Sequence, residues 1–449
     1  MRKFWIALFA LACVVAFSMP AFAAVDGKFS GSLRVRGWFD SNLKSLDKDK
    51  NAGAGSRQFY DNRLRMQPTF KIAEGLTLTA RFDALEKKWG DTLSAAGAAP
   101  AWNDSISFER AYVTFNTKGG RFQVGYQEDR AFGTVFGNSS GTKPQIKYFL
   151  PVGDFTLIAA IEKGYEDGGT AGAGAGVRVD ADTDIYDLGF VYKFKGGDAG
   201  LMFQTVRDAS NRTAALDAYT MKLYIFDPYV KMKMGGLYFE AEGLYATGKW
   251  AEYEDPKTAG RQDIDFTQYG LYLHANYDLA PMYVGGLFAY GSGDDGSDAT
   301  KKKSGLFRAL SLNQAVNVSL MLMSYEYTNQ VGARRGDASV TAANGIGYWG
   351  DNIWLYQIYA GIKPMKELDV KASITMASAD KKPKVGTVEY VSDKIGTEFD
   401  LTATYKIYDN LSYMVGFGYL WVGDYFKGTN TAAVTENDYL LMHQLLLSF

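Results

Sequence analysis

The sequence predicts an all-β protein, a transmembrane antiparallel up-and-down β-barrel of about 18 strands, with roughly 16 to 20 the range its loops allow. Three observations predict it. A signal-like leader opens the chain. Segments of about ten residues then alternate apolar and polar side chains. Short polar turns alternate with long polar loops, and no later segment offers the ~20 consecutive apolar residues of a spanning helix.

The leader reads MRKFWIALFALACVVAFSMPAFAA. Arg2 and Lys3 are the positive start, Phe4 to Phe17 the apolar run, and Ala21-Phe22-Ala23 a small-x-small cleavage site. Residues 1–23 are therefore expected to be a secretory signal peptide, and 24–449 a single outer-membrane barrel domain. Cys13 is the only cysteine and leaves with the leader. A disulfide framework and a thiol metal site are thereby excluded. Lys and Arg number 48 against 50 Asp and Glu. That balance gives no electrostatic footprint for nucleic acid. The aromatic content, 30 Tyr and 28 Phe, suits a barrel with a lipid-facing surface.

The hairpin YDNRLRMQPTFKI–AEG–LTLTARFDA shows the pattern best. Tyr60, Leu64, Met66, Phe70 and Ile72 share one face, and Asp61, Arg63, Arg65, Gln67 and Lys71 the other. After the turn, Leu76, Leu78, Ala80 and Phe82 alternate with Thr77, Thr79, Arg81 and Asp83. Other turns fall at Lys118-Gly119-Gly120, Val152-Gly153-Asp154, Gly196-Gly197, Gly235-Gly236 and Asp409-Asn410. The stretch 292–349 reads as one very long outer loop. NVSLMLMSYEYTN within it is strand-like enough for a twentieth-strand count. The chain closes on LLMHQLLLSF, where Phe449, Leu447, Leu445, His443 and Leu441 share a face.

This tail resembles the terminal signal of Gram-negative outer-membrane porins. The resemblance implies that Phe449, Leu447 and Leu445 are read by the barrel-insertion machinery. It also implies a water-filled channel for passive diffusion of ions and small hydrophilic solutes. Outer-membrane lipid and lipopolysaccharide would be neighbours, and a homotrimer a common assembly. In that class the third long loop folds inward. Here it is QEDRAFGTVFGNSSGTK, 127–143, so Glu128, Asp129, Arg130, Phe132 and Phe136 are constriction candidates.

A pore-lining basic face is expected from the lumen-phase residues Arg34, Arg36, Arg63, Arg65, Lys71 and Arg81. Charged ladders of this kind control ion passage. Asp61, Asp83, Glu240 and Glu242 are the acidic candidates, expected on an opposed wall. FERAYVTFNTKGGRFQVGYQ and LYFEAEGLYATGKW are similar to stretches of the alginate-export family, which implies an anionic solute or acidic polysaccharide as an alternative cargo. Tyr126 departs from that family, where an arginine is common. A plugged, surface-binding barrel is the other alternative, with 292–349 as plug.

Catalysis is not expected. Only His274 and His443 are available as imidazole bases; His443 falls on the lipid-facing phase, and His274, in LYLHANY, has no serine motif nearby. No cofactor or metal is expected. Asp294, Asp295 and Asp298 do not have the spacing of a calcium loop.

Overall fold

The computed structural model describes residues 26–50, 55–90, 106–166, 181–212, 218–254, 260–310, 317–324, 327, 340 and 351–449. The expected signal peptide lies outside them. Eighteen long strands form one closed sheet. The first six are β1 Asp26–Asp40, β2 Arg57–Ala73, β3 Leu76–Lys88, β4 Ile106–Thr117, β5 Gly120–Arg130 and β6 Ser139–Val152. Next come β7 Phe155–Tyr165, β8 Thr183–Phe194, β9 Gly197–Asp208, β10 Tyr219–Met234, β11 Leu237–Tyr253 and β12 Ile264–Leu279. The last are β13 Met282–Gly291, β14 Ile353–Met365, β15 Leu368–Ser378, β16 Lys394–Tyr408, β17 Leu411–Val422 and β18 Asp438–Ser448.

Each strand pairs antiparallel with its neighbours in sequence, so the backbone hydrogen bonds of the wall are made within the sheet. The ring closes where β18 meets β1, from Ser32 opposite Ser448 to Asp40 opposite Leu440. Gly31 and Phe449 exchange backbone hydrogen bonds of 2.8 and 3.0 Å at the seam. A closed ring has no strand edge, the condition lipid imposes.

Alternation sorts the two faces. Along β8, Ile185 and Asp187 are buried inward while Tyr186, Leu188, Phe190 and Tyr192 are exposed outward. The connections at one end are two residues long, and those at the other are long, which marks the periplasmic and outer ends.

The wall has no further hairpin from 292–349, in keeping with the count of 18, because β13 pairs directly with β14. Residues 317–324 instead make a tight fold inside the barrel, closed by a bridge between Asn317 and Ser324. Its apolar residues, Met321, Leu322 and Met323, are buried against the inner wall. Their strand-like pattern therefore reflects a need for burial rather than for pairing.

Candidate functional site

The basic face forms on β1 to β4, where register decides which side chains meet. Arg34 lies opposite Arg63. Arg65 lies opposite Asp83. Arg81 lies opposite Arg110, which the sequence reading did not select because the phase of ISFERAYVTF breaks there. The cause is an extra residue, Glu109, on β4, since Arg81 pairs with Arg110 but Phe82 with Phe108.

Carboxylates interleave with this row. Arg36 donates to Asp61 from Nε and Nη2 at 3.0 and 2.9 Å. Trp38 donates to the other oxygen of Asp61 at 2.6 Å. Arg65 grips Asp83 through two bonds of 2.7 Å, the fork geometry that favours arginine, and reaches Glu109 at 3.1 Å. Arg81 also donates to Glu109. Arg63 and Arg34 lie 3.6 and 3.8 Å from Glu86, and Arg110 donates to Glu128 at 3.1 Å. Asp61 and Asp83 thus belong to the same wall as the arginines, not to an opposed one as expected. Asp83, Glu86 and Glu109 cluster closely enough to resemble a metal site. Arginines already meet their charge. Lys71 stands apart, exposed near the periplasmic end.

Glu240 and Glu242 do lie across the barrel, on β11, but both are engaged. Glu242 holds the short loop 131–138. Thr134 and Gly137 each donate a backbone N–H to it at 3.0 Å, and the Thr134 hydroxyl donates as well. Gly133 has a positive φ of 75°, and a Cβ there would strike the Glu242 carboxylate, so only glycine fits this approach. Phe132 packs edge-on against Tyr229 at 4.9 Å, and Phe136 stacks on Tyr272 at 5.7 Å. Glu128, Asp129 and Arg130 sit on the end of β5 rather than in the loop, because β5 continues to Arg130. Arg130 is buried against Asp227, and Asp129 takes Lys143 at 2.8 Å.

A second segment enters the lumen from the long β13–β14 connection. Leu306 N donates to Gln268 Oε1 at 2.9 Å, beside β12. Phe307 then meets Phe136 of the first loop at 5.0 Å. Gln357 of β14 donates to Val318 O at 2.6 Å. Glu398 of β16 accepts from Met321 N and Leu322 N at 2.8 and 2.7 Å. Tyr327 finally reaches β1, donating to Asp40. The segment thus crosses from β12 to β1.

Between it and the wall lies a cavity of about 530 Å³. Arg34, Arg36, Arg63 and Lys371 line it, with Asp400 the one carboxylate among its lining. Sequence reasoning missed Lys371, Trp38, Gln268 and Glu398. Lys371 was readable from the alternation Lys371, Ser373, Thr375 on β15, whereas the partners of Glu398 lie 76 and 77 residues away. At the chain end, Leu445 and Leu447 lie in β18 beside β1, and the exposed ring of Phe449 covers Gly31.

A closed 18-strand barrel with a charged, partly filled lumen is the architecture of an outer-membrane channel. Residues 10–330 match the Gram-negative porin family, and the chain belongs to it. It is a porin of a Gram-negative outer membrane, forming a passive channel for ions and small hydrophilic solutes. No curated protein matches the chain in sequence. Solved structures share its fold at low identity. OccK9 (OpdG) of Pseudomonas aeruginosa is 12% identical with a TM-score of 0.52, over 94% of this chain and 99% of that one. OccK2 (OpdF) of the same organism, solved in complex with glucuronate, is 11% identical with a TM-score of 0.51, over 95% and 99%. A BenF-like porin from Pseudomonas fluorescens Pf-5 is 11% identical with a TM-score of 0.51, over 94% and 99%.

Proposed function

We propose that this porin passes small hydrophilic anions in preference to cations. One observation carries the reading: the cavity beside the inner segment is lined by Arg34, Arg36, Arg63 and Lys371 against a single carboxylate, Asp400. The ladder itself is nearly balanced, since Asp61, Asp83, Glu86, Glu109 and Glu128 face its arginines. Glu242 and Glu398 point at loop 131–138 and at residues 321–322, and neither lines this cavity. Lys28, Lys71, Lys193 and Lys406 add exposed positive charge toward the periplasmic mouth. A cleft lined by one sign of charge concentrates the opposite ion.

The pore-lining residues of this reading are Arg34, Arg36, Arg63, Arg65 and Arg81, joined by Arg110 and Lys371, with Phe132 and Phe136 narrowing the lumen. Insertion through Phe449, Leu447 and Leu445 and assembly as a homotrimer in contact with lipopolysaccharide belong to the same reading. Arg63→Gln with Lys371→Gln tests it. The anion-to-cation permeability ratio should fall about three-fold, since each charge near the ion path shifts its energy by a few tenths of a kcal/mol. An unchanged ratio would contradict the reading.

A further inference from the structure

We propose that His274 is a proton-binding, selectivity-determining residue of the pore, so that acidification of the lumen raises its preference for anions. His274 lies on the inward face of β12 and is partly open to the lumen. It is one of two histidines in the chain. The other, His443, packs between Tyr60 and Tyr413, both of which are exposed on the outer face, at ring distances of 5.5 and 5.8 Å. His274 is therefore the one imidazole whose charge reaches the ion path.

The groups around it are set for two protonation states. On β11, Glu240 lies 3.2 Å from Nδ1, and it also accepts from the hydroxyls of Tyr238 at 2.7 Å and Tyr272 at 3.0 Å. On β14, the Tyr359 hydroxyl is 2.8 Å from Nε2. It reaches there across β13 because Gly285 has no side chain; a Cβ at that position would strike the Tyr359 ring. On β15, Lys371 stands over the Tyr359 ring at 4.3 Å, and no carboxylate lies within ion-pair distance of it among the described residues. From the loop side, Phe136 covers Tyr272, and Glu242 sits two residues beyond Glu240 with its oxygens on loop 131–138.

Glu240 accepts only, so the neutral ring places its proton on Nδ1, and Tyr359 donates to Nε2. In the charged ring Nε2 becomes a donor, and the Tyr359 hydroxyl has to turn to another acceptor. Asn276, two residues along the same face, has an Oδ1 with no partner among the described residues, and it can supply the acceptor. The site can thus take up a proton without stranding a polar atom, and the lumen wall gains one positive charge opposite the arginines. Imidazoles change charge between about pH 5 and 8, the range that separates neutral from acidified surroundings.

This inference rests on the lumen being an open ion path but not on the arginine ladder. The ladder sets selectivity at fixed pH, whereas His274 sets its change with pH, so the two fail separately. The test is the reversal potential of the full-length protein in planar bilayers under a KCl gradient, at pH 8 and pH 5. One added charge at roughly 10 Å from the path, screened at 0.1 M salt, predicts about a two-fold rise in the anion-to-cation ratio on acidification. Wall carboxylates also respond to pH, so the deciding quantity is the difference between wild type and variants. His274→Gln should remove most of the rise, and His443→Gln should keep it. Tyr359→Phe, which retains the imidazole and deletes its partner, should keep the rise. A flat wild-type ratio, or a rise in His274→Gln equal to that of wild type, would overturn the proposal.

Discussion

Replacing Glu398 with Ala should loosen the segment that crosses the lumen and widen the pore. The carboxylate is fully buried and accepts from Met321 N and Leu322 N at 2.8 and 2.7 Å. Alanine leaves both donors without an acceptor. An unsatisfied buried N–H costs about 1–3 kcal/mol, so the pair costs about 2–6 kcal/mol. Opposing this, Met321, Leu322 and Met323 are all nearly sealed from solvent. Burial of each contributes about 1.5–3 kcal/mol, or about 4.5–9 kcal/mol together. At the midpoints apolar burial still wins, by about 3 kcal/mol, which leaves a released form populated at about one per cent. Single-channel recording reads this directly. Wild type should hold one main level, and Glu398→Ala should add brief openings to a larger one. Adding Leu322→Ser should lengthen those openings. A single level of wild-type size in both variants would refute the reasoning that the segment is held by this carboxylate and these three side chains.

Three further outcomes are expected. Arg130→Met leaves the buried Asp227 carboxylate without its guanidinium and should destabilise the barrel by about 3–5 kcal/mol, seen as a lower urea midpoint in lipid vesicles. Glu242→Ala removes the acceptor of Thr134 N and Gly137 N and should raise conductance through the β5–β11 side of the lumen, with ion selectivity shifting further toward anions. Phe449→Ala strips the ring that covers Gly31 and should lower the yield of folded barrel, measured as the fraction migrating in compact form on unheated gels.

The wall was legible in the sequence because one local rule, alternation with period two, governs every strand. The count of eighteen strands follows from it. Register was legible only across two-residue turns. The two-residue turn Glu74-Gly75 pairs Ala73 with Leu76, and plain counting from it would set Arg65 opposite Ala84. Even there, a register shift between Lys71 and Ala73 moves the pairing by one residue and brings Asp83 opposite Arg65. Arg34 opposite Arg63 spans a long outer connection, and no local count predicts it. The inner segments were harder still. Loop 131–138 was expected to fold inward by resemblance, but nothing local says that its anchor is Glu242, more than 100 residues on. The apolar run at 317–324 fitted a strand as well as a buried fold, since both want every second side chain away from water. Only the partners Glu398 and Gln357, brought in by barrel closure, separate the two.

The central claim is that the cavity lined by Arg34, Arg36, Arg63 and Lys371 biases the pore toward anions. The zero-current potential of the wild-type protein in a tenfold KCl gradient at pH 7 tests it most directly. The account predicts a potential of the sign carried by chloride, larger at low than at high salt because screening weakens the field of the wall. A potential near zero, or of the sign carried by potassium, would contradict it.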